Sequence, residues 1–76
     1  LDPMTKELIY VAISISNSCE YCIHSHTAAA RAQGMTDEQY AEFLSIVSLA
    51  GRTNNLLNGI KVPIDKEFDH DKIIDD

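Results

Sequence analysis

The sequence predicts an all-α fold: a small domain of three to four helices. Three features carry that prediction. Asp2-Pro3 reads as an N-cap followed by proline at the first helical position. Ala28, Ala29, Ala30 and Ala32 concentrate strong helix formers just ahead of Gly34. Thr36-Asp37-Glu38-Gln39 has the form of a capping box, threonine first and glutamine three residues on.

The first helix follows from its cap. Met4, Leu8, Val11, Ala12 and Ile15 then fall on a helical stripe. Ile9, Val11, Ile13 and Ile15 also alternate with Tyr10, Ala12 and Ser14, so a strand competes here. The capped start and the Lys6-Glu7 pair favour the helix. Ser16-Asn17-Ser18 breaks the pattern and offers N-caps for a second helix, from about Ser18 to Gln33. Gly34 is its expected stop, with Met35 as the apolar residue that follows. The third helix carries the stripe Tyr40, Phe43, Leu44 and Val47, extending to Leu49-Ala50, which reads as core or subunit interface. Gly51 either ends this helix or weakens it. Asn54 to Asn58 form a fourth turn or a continuation, closed by Asn58-Gly59. The expected organisation is a helical domain over 1–61 and an acidic tail over 62–76. The tail carries Asp65, Glu67, Asp69, Asp71, Asp75 and Asp76 and is ordered, if at all, against a neighbour.

Composition narrows the function. A chain of 76 residues is one domain at most. It buries only about 60% of its unfolded surface, which leaves a monomer marginal. Its 45% hydrophobic content therefore points to surface shared with other copies of itself. No apolar run has transmembrane length, so no membrane partner is expected. The net charge of −6 argues against nucleic acid, whose phosphates want a basic patch. Residues 1–15 have no basic start and no cleavage-type sequence, so a cytoplasmic protein without a secretory leader is expected. Two cysteines are too few for a secreted disulfide framework. One C-x-x-C pair in a reducing compartment reads as redox or metal chemistry.

The stretch SNSCEYCIHSH, residues 16–26, holds both cysteines and two of the three histidines. On a helix, Cys22 lies about 60° from Cys19, and His26 about 40° from Cys22. All three share one face, with the cysteine Cα atoms roughly 5 Å apart. That separation allows a disulfide without unwinding the helix. His26 sits one turn beyond Cys22, within hydrogen-bond reach of its sulfur. His24 points about 200° away and, like His70, reads as an ordinary exposed histidine. Both cysteines fall in the first turn, where unpaired N–H groups and the helix dipole stabilise a thiolate. Glu20 opposes that unless it faces solvent. Two other readings stay open. Cys19, Cys22 and His26 can hold zinc, with Glu7 or a residue of another subunit as fourth ligand, although no second ligand pair exists. The cysteines can also be packing residues in a structural oligomerisation module.

The order Leu1-Asp2-Pro3, Lys6-Glu7-Leu8, Ser18-Cys19-Glu20-Tyr21-Cys22, His26, Ala29, Gly34 and Thr36-Asp37-Glu38 resembles the carboxymuconolactone decarboxylase superfamily, in its alkylhydroperoxidase D-like branch. The likeness covers residues 1–61. The spacing Glu-x11-Cys-x2-Cys-x3-His is far more specific than a bare C-x-x-C. The resemblance implies an all-α fold assembling into trimers or hexamers. It implies a thiol-dependent peroxidase or disulfide reductase acting on hydroperoxides and reset by a lipoylated or thioredoxin-like dithiol donor, with no bound cofactor. Position by position, Cys22 matches the peroxide-attacking cysteine, Cys19 the resolving cysteine and His26 the base. Glu7 matches the carboxylate that orients the base and relays its proton; local spacing alone makes it an ordinary helix residue. Geometry also favours Cys22 as attacker, because His26 is one turn from it and two from Cys19. Tyr21 stands where the best-known alkylhydroperoxidase of the family has a histidine, and tyrosine is a poor base at neutral pH. The decarboxylase branch proper acts on a lactone and lacks the paired cysteines, so C-x-x-C argues against that activity.

Overall fold

Asp2 opens the first helix as expected: its carboxylate accepts the Thr5 N–H at 2.8 Å, and Pro3 takes the first turn, where no N–H is needed. The structure, a computed structural model, describes residues 1–69. It comprises α1 (Pro3–Ser16), α2 (Glu20–Ala32), α3 (Asp37–Ile60) and a single 3₁₀ turn at Lys66–Phe68. Among the described residues there is no strand, so the helix prevails over the strand alternative at residues 9–15. The reason is visible in burial. Val11 and Ser14, three apart, face inward, while Ile9 and Ile13, four apart, face outward. A strand would have put Ile9, Val11 and Ile13 on one side.

α1 and α2 form an antiparallel hairpin, and this is the packed part of the fold. Its innermost side chains are Val11 and Ala30, both fully buried, with Met35 4% exposed below them. Ser14 is buried too, its hydroxyl donating to the Tyr10 carbonyl at 2.7 Å, so no polar atom is stranded there. α2 ends as predicted. Gly34 takes φ 98°, a left-handed conformation that a side chain would resist, and Met35 N–H returns to the Ala30 carbonyl.

α3 begins with the predicted capping box, Thr36 and Gln39 each accepting the other's backbone N–H. Arg31 ties it to the hairpin. Its guanidinium donates to the Met35 carbonyl, pairs with Asp37 at 2.8 Å and lies 5.3 Å from the Tyr40 ring centre. Of the stripe read as core or subunit interface, Tyr40, Phe43, Leu44 and Val47 are half-buried within the chain, and Leu49 and Ala50 are exposed. The helix runs straight through Gly51 and past Asn58-Gly59, ending at Ile60 with Lys61 left-handed. Asn54 to Asn58 are thus a continuation, and the stop expected at Gly59 lies two residues further on. Gly51 carries only a propensity cost, which its helical neighbours absorb. No described helix is long and apolar enough to cross a membrane. His70 and the rest of the predicted tail from residue 70 lie outside the described residues.

Candidate active site

The turn between α1 and α2 builds the site. Ser18 adopts φ 58°, its N–H bonding to the Ile15 carbonyl, and Cys19 N–H bonds to the Ser14 carbonyl. This left-handed closure satisfies the last carbonyls of α1. Cys19 then serves a second purpose as N-cap of α2, its sulfur accepting the Cys22 N–H at 3.4 Å. The second helix therefore starts at Glu20, not at Ser18, and its cap is a cysteine and not one of Ser16, Asn17 or Ser18. Cys19 is consumed by the end of one helix and the start of the next, so it stands just outside the α2 spiral.

That displacement leaves the cysteine geometry intact. Cys19 and Cys22 are joined as a disulfide with Cα atoms 5.3 Å apart, close to the separation predicted for a continuous helix. His26, one turn beyond, has its Nδ1 2.6 Å from Glu7 Oε1. The histidine and glutamate side chains are 30% and 24% exposed, so the contact is partly shielded from water. The other face of the imidazole is covered by Tyr10, with ring centroids 3.7 Å apart and planes 18° from parallel. Carboxylate at one edge and phenol ring on one face fix where the imidazole lies. The expected reach of His26 to the Cys22 sulfur is not used here: its hydrogen bond among the described residues goes to Glu7.

The hairpin thus brings together all four residues singled out from the sequence, Glu7, Cys19, Cys22 and His26. Sequence reasoning missed Tyr10, which read only as part of an alternating apolar run. Tyr21 is 82% exposed, so the side chain between the cysteines stands in solvent. His24 is exposed, as expected, and Glu20 is exposed too. Beside the disulfide runs an apolar groove of about 310 Å³, walled by Ile9, Tyr10 and Ile13 of α1. Among the described residues no three His, Cys, Asp or Glu side chains converge as a metal-binding cluster. The donors that a zinc reading needs are engaged with one another, sulfur with sulfur and imidazole with carboxylate.

The arrangement is consistent with a thiol-based redox role, and comparison with known proteins agrees. Residues 1–65 match the profile of the carboxymuconolactone decarboxylase family. Over 48 residues the chain is 40% identical to "Uncharacterized protein 4 in cox locus" of Paracoccus denitrificans, covering 63% of this chain and 43% of that protein. A crystal structure of an alkylhydroperoxidase AhpD core from Rhodospirillum rubrum superposes with a TM-score of 0.87 at 57% identity. It covers 90% of this chain and 50% of that one. The chain therefore spans half or less of the length of these relatives.

Proposed function

Because the chain belongs to the carboxymuconolactone decarboxylase family, in its alkylhydroperoxidase-like fold, we propose that it is a thiol-dependent peroxidase that reduces hydroperoxides through Cys19 and Cys22. The observation that carries this reading is the grouping of a C-x-x-C disulfide with a histidine held by a carboxylate across the hairpin.

In the reduced protein, Glu7 orients His26, and His26 accepts the Cys22 proton. The first turn of α2 favours the resulting thiolate through its free N–H groups and dipole. The thiolate attacks the terminal peroxide oxygen. An S–O bond forms, the O–O bond breaks, and the alcohol leaves with the proton that His26 returns. The Cys19 thiol then displaces water from the Cys22 sulfenic acid, giving the disulfide. A dithiol donor, of lipoyl or thioredoxin-like chemistry, restores both thiols and is itself oxidised to a disulfide. With Tyr21 in place of the family histidine, the base role rests on His26 alone. Such a cycle suits the cytoplasm, where reductants keep dithiols available. The active form is proposed to be a homo-oligomer, trimer or hexamer, supported by the exposed apolar side chains along α3.

The test is intact mass after one equivalent of organic hydroperoxide on the reduced protein. Wild type is expected to lose two mass units, Cys19→Ser to gain sixteen as the trapped sulfenic acid, and Cys22→Ser to stay unchanged. Glu7→Gln should slow wild-type oxidation by about 10²-fold, the scale of a lost general-base contribution. Three unchanged masses would remove the peroxidase reading, and an unimpaired Glu7→Gln would remove the relay.

A further inference from the structure

The groove beside the disulfide has an organisation that thiol chemistry alone does not require. Its long wall is one stripe of α1, with Lys6, Ile9, Tyr10 and Ile13 at helical spacing, and it closes against Cys19 and Cys22. Ile9, Tyr10 and Ile13 remain 45%, 51% and 56% exposed, so the wall offers apolar surface that the chain does not cover itself. Lys6 is the cation at the far end. Among the described residues the ion pairs engage His26 and Arg31, not Lys6. Lys6 and Ile13 lie about 10 Å apart along the helix axis. The groove therefore has a reactive sulfur pair at one end, an available positive charge at the other, and a mainly apolar wall between. Its volume of about 310 Å³ sits at the small end of small-molecule sites.

We propose that this groove takes a hydroperoxide with an elongated apolar body and a terminal carboxylate, a hydroperoxy fatty acid, with Lys6 holding the carboxylate while the peroxide meets Cys22. The inference rests on the peroxidase reading and names its substrate class. The balance is that of the cycle above: the hydroperoxy acid leaves as the hydroxy acid, the oxygen leaves as water, and two thiols become one disulfide. The net charge of −6 repels small anions at long range. An acid is held only if it also covers the apolar wall, which selects fatty acids over short acidic peroxides.

Two measurements separate the site from the chemistry. Decanoate and decan-1-ol, equal in chain length, are titrated into the disulfide form of the wild type, Lys6→Met and Lys6→Arg, following the backbone amide NMR signals of Lys6, Ile9 and Ile13. Wild type is expected to bind decanoate about fivefold more tightly than decanol, the scale of an exposed ion pair. Lys6→Met should bring that ratio to about one, and Lys6→Arg should keep it. In parallel, oxidation of the reduced protein by linoleic acid hydroperoxide should outpace oxidation by its methyl ester by a similar factor, and Lys6→Met should erase the preference. Equal binding of the two ligands, no shifts at Ile9 and Ile13, or a preference that survives Lys6→Met overturns the inference. Decanoate bound in the groove of a protein whose thiols resist every hydroperoxide would instead overturn the peroxidase reading and leave the binding site standing.

Discussion

Ser18 sits in the left-handed region at φ 58°, where a side chain is disfavoured by about 1–2 kcal/mol. It is held there because α1 must close and α2 must begin within three residues. Ser18→Gly removes the steric cost and adds some chain entropy to the unfolded state. The expected net is a gain of about 0.5–1 kcal/mol in a urea titration, with Ser18→Val losing stability. A glycine variant less stable than wild type would sink this account of the turn. The break itself was legible in Ser16-Asn17-Ser18, but serine does not announce a left-handed residue as glycine does. Glu7 was read from the family resemblance, but the sequence also holds a second route to it. It lies nine residues before Ser16, and His26 lies nine residues after Asn17. An antiparallel hairpin folded at that break must therefore set them opposite each other. Tyr10 could have been found by the same arithmetic, one turn along from Glu7.

Among the elements, α1 has a start that responds to pH. The Thr5 N–H donated to Asp2 holds that carboxyl below its ordinary value of 3.8. The unfolded chain has no such bond, so the native state binds the proton more weakly. The cap's contribution is fully present above 3.8 and is lost as pH falls through the lowered folded value. Asp2→Asn keeps an acceptor but no charge. The wild-type advantage in Tm over Asp2→Asn is expected to shrink across that acid window and to stay level above it. A difference that does not vary with pH would count against the cap. The starts of α1 and α3 were both readable from cap chemistry within a few residues. The end of α3 was not: Gly51 and Gly59 look like stops, yet the chain closes at Lys61, whose backbone takes the left-handed position without a glycine. The start of α2 was hidden for a different reason, because cysteine is not a usual N-cap and only the disulfide partner's N–H reveals it.

As a whole molecule the chain is open. Its radius of gyration is 15.2 Å, against about 11 Å for a compact domain of this length. The excess comes from α3, which buries no residue completely and exposes Ile46, Leu49, Leu56 and Ile60. An apolar face of that extent supports the proposed assembly. Sedimentation is expected to give an oligomer at micromolar concentration, and Leu49→Glu combined with Ile60→Glu to give smaller species. A wild-type chain that sediments as a monomer would remove the proposed assembly. The apolar excess was readable from composition alone; how it divides was not, since the α3 stripe read as core or subunit interface and none of it is fully buried within the chain.

The placement of the aromatic residues has an optical consequence. The chain has no tryptophan and three tyrosines. Tyr21 lies between the two cysteines in sequence, Tyr10 is stacked on His26, and Tyr40 lies under Arg31. Two of the three emitters therefore flank the cysteine pair, and disulfides quench tyrosine emission strongly at short range. Intrinsic fluorescence should brighten when the pair is reduced and dim as it closes, so the oxidation state can be followed in real time without a label.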